Sequence, residues 1–142
     1  MSRLDTFFLL ETQGLTDILI ECAQRYHLPL LITENGCGWT ADPIVKAKYI
    51  VQNIVAVHSA MNQGSDVLGY LYWTLDYDYE WTSGYKQNYG LFYVDDFTAP
   101  SFTEPTAATD FARTTVQPAV DVYSAIAEGN GISTVIIDLY GR

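Results

Sequence analysis

Two stretches of the chain hold carboxylates in settings that could do chemistry. In "LPLLITENG", residues 28–36, an apolar run ends in Thr33-Glu34-Asn35-Gly36, which puts a carboxylate on the lip of a turn. In "YWTLDYDYEWTSGY", residues 72–85, Trp73, Glu80 and Trp81 occupy one aromatic and acidic segment. A carboxylate can accept two neighbouring hydroxyls in a fork, and an indole offers a flat apolar face to C–H groups. Together they suit a neutral polyol such as a sugar. Structural alternatives stand beside this reading. Asn35-Gly36 is also a hairpin signal, and Glu34 next to it would then be plain surface. Trp73 could be core at the end of an apolar strand, and Glu80 with Trp81 could be a solvated loop. A hairpin needs a returning strand with matching alternation, however, and "CGWTADP" offers none.

The elements that must position these residues can be read from periodicity. Residues 1–13 show no clear period. From Gly14 onward, Leu15, Ile18, Leu19, Cys22 and Tyr26 recur at helical spacing, which predicts a helix of about three turns. Cys22 on that face is expected to be a buried thiol. Pro29 ends the helix. "LPLLIT" does not alternate and reads as a strand covered on both faces. Asp42 can cap a second helix with Pro43 at its first position. Ala47, Ile50, Val51, Ile54, Val57 and Met61 give that helix an apolar side, and it should stop near Gly64. "DVLGYLYW", 66–73, reads as a second strand and "LFYVDD", 91–96, as a short third. Asp110 can cap a last helix running to about Ala127, interrupted by Pro118. "STVIIDLY" reads as a stray strand or a poorly packed tail.

Helix, strand, helix, strand is the order of a parallel α/β architecture, with helices covering a buried sheet. In such folds ligands bind beyond the carboxyl ends of the strands. One predicted strand delivers Glu34 there, and the next delivers Trp73 and the loop with Glu80 and Trp81. The two acidic-aromatic clusters therefore share a predicted face.

Composition narrows the partners. A net charge of −10 argues against nucleic acid and against an anionic membrane surface, both of which need clustered Lys and Arg. Eleven Tyr and three Trp, most of them between Tyr70 and Tyr93, add to the hint of a sugar ligand. The two cysteines, Cys22 and Cys37, form neither a metal signature nor a disulfide framework. His27 and His58 are not read as ligands, and Asp76, Asp78, Asp95 and Asp96 are read as surface charges. With no signal peptide and no apolar run of membrane length, a cytoplasmic protein is the expectation.

"LITENG" at 31–36 resembles the nucleophile motif of glycoside hydrolase family 1, the β-glucosidase and β-galactosidase family. "GLTDILIECAQRYHLPLLITENG" resembles the helix and strand leading to that motif, and "YIVQNIVAVHSAMNQGSDVLGYLYWTL" the helix and strand that follow. "YEWTSGYKQNYGLFYVD" resembles the family's sugar-binding loop. The match covers roughly residues 13–96, in order and at family spacing. The resemblance implies a C-terminal fragment of a (β/α)8 TIM barrel, its last two strands with flanking helices, over 1–128, followed by a tail at 129–142. It implies Glu34 as the catalytic nucleophile. It also implies Glu80 as a carboxylate holding sugar hydroxyls, Trp73 as the floor under the sugar, Trp81 as a further contact and Tyr89 at the edge of the subsite, where the family usually has Phe.

The implied reaction is hydrolysis of a terminal β-linked glucose or related sugar with retention, with no metal or organic cofactor. Retention needs a second carboxyl group about 5–5.5 Å from the nucleophile. The family carries it in an Asn-Glu-Pro motif on an earlier strand, and no such segment precedes Glu34 here. Glu104 in "FTEPTA" follows the last strand in a Pro-rich loop and does not replace it. Asn88 stands where the family has Arg, and Lys46 or Lys48 is the nearest substitute for a second family Arg after the nucleophile. The expectation is a chain that hydrolyses little by itself. Its partners would be a β-glucoside-like carbohydrate and either the N-terminal portion of the barrel or a second copy. The alternative function is a non-catalytic remnant acting as an assembly partner or sugar-binding half-barrel.

Overall fold

The computed structural model describes residues 3–38, 42–84, 86–94 and 113–141. Helix α1 (Arg3–Tyr26) leads to strand β1 (Leu30–Asn35), helix α2 (Pro43–Asn62) and strand β2 (Val67–Tyr72). A short 3-10 turn, Trp81–Ser83, precedes β3 (Phe92–Val94) and β4 (Arg113–Thr115). Two helices close the chain, α3 (Ala119–Gly129) and α4 (Thr134–Tyr140).

β1 and β2 pair in parallel, with Leu30 opposite Val67, Ile32 opposite Tyr70 and Asn35 opposite Tyr72. The helix-strand-helix-strand expectation therefore holds, with α2 as the crossover. Asp42 caps α2 as read from the sequence, its Oδ1 accepting the Ile44 amide at 2.9 Å. At the other end Gly64, at φ +97°, lets the Ser65 amide turn back onto the Ala60 carbonyl at 3.1 Å.

Two groups of buried side chains hold the elements together. Ala47, Ile50 and Val51 of α2 pack with Leu91, Val116 and the α3 residues Ala119, Val122 and Ile126. Leu19 of α1 packs on Val57 and Ala60 of α2, with Leu30, Ile32, Val67 and Tyr70 of the sheet against them.

Several expectations change. α1 begins at Arg3, since Gly14 is tolerated inside a helix at modest cost. Its buried stripe is also turned from the expected one. Thr16 and Leu19 are buried, and Thr16 Oγ1 donates to the Ala56 carbonyl at 3.1 Å, whereas Ile18 and Tyr26 are exposed and Cys22 is only half-buried. β1 is covered on one face only: Leu30 and Ile32 meet the helices, while Leu31 is exposed. Pro118 opens α3 instead of interrupting a helix, and the segment before it is the strand β4, paired antiparallel with β3. Asp110, like Asp95, Asp96 and Glu104, lies outside the described residues. "STVIIDLY" is neither a strand nor loose. Ser133 caps α4, and Ile132, Ile136 and Tyr140 pack on the core. Asp76 and Asp78 are half-buried, not surface charges.

Candidate functional site

The carboxyl ends of β1 and β2 are joined by a backbone hydrogen bond, Trp73 N to Asn35 O at 3.0 Å. Glu34 precedes Asn35 and is exposed. The register between the strands shifts between Ile32 and Asn35, so Thr33 and Glu34 are both exposed in succession while Asn35 turns inward. Tyr70 anchors that inward turn: its hydroxyl donates to Asn35 Oδ1 at 2.6 Å. Burial, with neighbouring tyrosines adding to it, raises the Tyr70 phenol far above its usual range, which keeps it a donor at any ordinary pH.

The turn after Glu34 is packed against the other candidates. A Cβ on Gly36 would lie 1.7 Å from the Trp73 carbonyl oxygen and 3.2 Å from the Tyr89 ring. A Cβ on Gly38 would lie 2.1 Å from Tyr89 Cε2. Only glycine admits this approach. Tyr89 is thus wedged between the turn after β1 and the segment after β2, with its carbonyl accepting the Thr74 amide at 3.4 Å.

Glu80 lies on the loop beyond, where its backbone pairs with Gly84 (Glu80 N to Gly84 O, 2.9 Å). Its charge reaches two of its neighbours. Burial raises the Asp78 carboxyl, and Glu80 beside it raises it further. Burial likewise raises the Tyr89 hydroxyl, followed by the charges of Glu80, Cys37 and Asp78. Tyr89 therefore links the Glu34 turn to the Glu80 loop. Trp73 is partly open at 36% exposure, and Trp81 is 85% exposed with φ +40°. A bulky residue at positive φ is held there by its surroundings at a cost of about 1–3 kcal/mol, and such strain clusters at ligand-binding turns.

All five residues singled out in the sequence, Glu34, Trp73, Glu80, Trp81 and Tyr89, thus fall at the carboxyl ends of β1 and β2 and the loop that follows. The arrangement offers an exposed carboxylate at the end of β1 and a second acidic cluster on the later loop, with the Tyr89 ring against the turn after Glu34 and within reach of the Glu80 and Asp78 charges. Among the described residues no group of three His, Cys, Asp or Glu side chains could hold a metal ion. No described helix is long and apolar enough to cross a membrane. A groove of about 710 Å³ lies elsewhere, between β2, α2 and the α3–α4 corner, and is lined by residues such as Ile54, Met61, Leu68, Tyr123 and Ile132.

Sequence reasoning assigns neither Cys37 nor Tyr70 to the site, and it names Lys46 only as one of two substitutes for a family Arg. Lys46 and Cys37 are fully buried, and Tyr70 bonds Asn35. The signal for Lys46 was its place on the apolar side of α2, directly before Ala47 and one turn before Ile50.

The family model described as "Glycosyl hydrolase family 1" matches residues 2–128. A β-galactosidase of Sulfolobus acidocaldarius is 39% identical over 120 residues, covering 84% of this chain and 22% of that protein. A β-galactosidase of Saccharolobus solfataricus is 42% identical over 95 residues, covering 67% of this chain and 19% of that protein. The solved structure of a β-glycosidase from Pyrococcus horikoshii superposes with a TM-score of 0.78 at 33% identity, over 92% of this chain and 27% of that one. The chain spans about a fifth of the length of these curated relatives. Its two parallel strands and flanking helices are an open part of a (β/α)8 barrel, not a closed one.

Proposed function

We propose, because the chain belongs to glycosyl hydrolase family 1, that it carries the nucleophile and the sugar-holding loop of a retaining β-glycosidase. The reaction is hydrolysis of a terminal β-linked glucose or a related sugar. Glu34 attacks the anomeric carbon, a glycosyl ester forms on its carboxylate, and the aglycone oxygen leaves. Glu80 accepts hydroxyls of the same sugar, Trp73 lies beneath its C–H face, and Trp81 and Tyr89 bound it. The observation that carries this reading is the joining of the two strand ends by the Trp73–Asn35 bond, with Glu34 exposed beside it.

Leaving-group departure needs a proton when the aglycone is a poor leaving group, and the family's acid motif does not occur before Glu34. The chain alone should therefore not turn over an alkyl β-glucoside. An activated aryl 2-deoxy-2-fluoro-β-glucoside needs no such proton and should label Glu34, read as a mass increase on the peptide containing it. Labelling that persists in Glu34→Gln, or fast hydrolysis of the alkyl glucoside abolished in Glu34→Ala, would contradict this assignment.

A second reading, a non-catalytic assembly partner, is favoured by a different observation. Leu31 and Leu71 alternate with the helix-facing residues of β1 and β2 and are exposed on the opposite face. A labelling experiment that fails while the chain forms defined oligomers would favour it.

A further inference from the structure

We propose that Lys46 is a positioning residue: its buried ammonium clips the backbone of residues 88–90 to α2 and so holds the Tyr89 ring at the edge of the sugar site. The proposal rests on the glycosidase reading above and deepens it.

Lysine is almost never fully buried unless it is paired, and Lys46 has no exposed surface. Its Nζ donates to two backbone carbonyls, Asn88 O at 2.5 Å and Gly90 O at 3.0 Å. These carbonyls flank Tyr89. The same turn is fastened on its other sides. Asn88 N donates to Gly38 O at 3.2 Å, Thr74 N to Tyr89 O at 3.4 Å, and Gly90 N to Asn88 Oδ1 at 2.9 Å. Residues 88–90 thus join the loop after β1, the segment after β2 and, through Lys46, the first turns of α2.

Two carbonyl oxygens converging on one buried point need donors, and an apolar side chain there would leave both desolvated and unmatched. An ammonium on a flexible stem supplies those donors from α2, with hydrogens to spare. The clip acts on Tyr89 because its ring has no slack: it already touches Gly36 and Gly38 beside Glu34. If the 88–90 backbone drifts from α2, the ring must leave that contact.

A residue that merely fills the core would loosen the whole fold when replaced; a clip loosens one turn. The test is amide hydrogen exchange on the full chain for wild type, Lys46→Met and Lys46→Arg. It is paired with titration of a glucose-configured iminosugar followed by tryptophan fluorescence. Lys46→Met should speed exchange at Thr74, Asn88, Gly90 and Leu91 about tenfold or more, with α1 and α3 changed by less than about twofold. It should also weaken iminosugar binding about tenfold, and Lys46→Arg should restore both. Uniform loosening, unchanged exchange at these four amides, or local loosening with unaltered binding would each overturn the proposal. Should Lys46→Met not fold, Lys46→Gln supplies a donor and should give an intermediate local effect; no effect there overturns it too. If the wild-type chain does not bind the iminosugar, the glycosidase reading is what fails, and the exchange results still decide whether Lys46 is a clip.

Discussion

The hydroxyl of Tyr70 donates to Oδ1 of Asn35 at 2.6 Å, tying β2 to β1 directly behind Glu34. The bond closes the irregular register at the end of β1 and decides which residues turn inward and which face solvent. Tyr70→Phe removes the donor and keeps the ring. Asn35 is half-buried, so water can replace part of the lost bond. The expected cost is about 0.5–1.5 kcal/mol, read as a lower urea midpoint with an unchanged slope. An unchanged midpoint would mean that the strand ends are held by the backbone bond alone.

Glycine matters at the turn for a different reason than in α1, and a pair of substitutions separates the two. Gly36→Ala puts a methyl group 1.7 Å from the Trp73 carbonyl oxygen, a backbone atom that cannot move without breaking the strand-end contact. It should destabilise by about 3 kcal/mol or more and flatten the near-ultraviolet dichroism of the surrounding aromatics. Gly14→Ala meets nothing within 4 Å and lies inside a helix, so it should stabilise by about 0.5–1 kcal/mol. Thermal unfolding of the two variants should move in opposite directions.

Lys46 also gives stability a pH dependence of known sign. Burial lowers its pKa from 10.5 to about 8, against a smaller upward pull from the Cys37 charge. Between those values the unfolded chain binds more protons than the folded one, so stability rises with pH. The contribution is complete above 10.5 and is lost as pH falls through about 8. The ceiling is about 1.4 kcal/mol per pH unit. Tyr70 and Tyr72, both raised by burial, act in the opposite sense above pH 10.0, which leaves a window from about 8 to 10. The urea midpoint of wild type relative to Lys46→Met should therefore climb across that window, and a constant difference would rule out a buried ammonium of lowered pKa.

What the sequence revealed follows from how local each signal was. Asp42, Pro43 and Gly64 act on their own backbone, so both ends of α2 could be read directly. The strand order and the clustering of Glu34 with Trp73 followed from periodicity. Burial was harder to read. The unbroken apolar run Leu28–Ile32 encodes a strand with two covered faces, yet the described elements supply a cover for only one. The stripe of α1 misleads because Ile18 and Tyr26 look like core residues but are exposed. Lys46 does not read as a core residue because charge usually marks a solvent face, and its partners are carbonyls distant in sequence that no pattern announces.

The uncovered face of the sheet makes the last prediction. Leu31 and Leu71 are 53% and 51% exposed, and among the described residues each strand of the pair also keeps one edge unpaired. An apolar face bounded by open edges recruits other chains. The net charge of −10 opposes this by repulsion between copies, a force that salt screens. Association should therefore increase with both protein concentration and ionic strength, read as a rising mass in sedimentation. Leu31→Lys and Leu71→Lys each place a charge on the face and should shift the population toward monomer. Val135→Lys, at an equally exposed position on α4, should leave it unchanged. Equal effects from all three substitutions would mean that association is driven by overall charge and not by the open sheet.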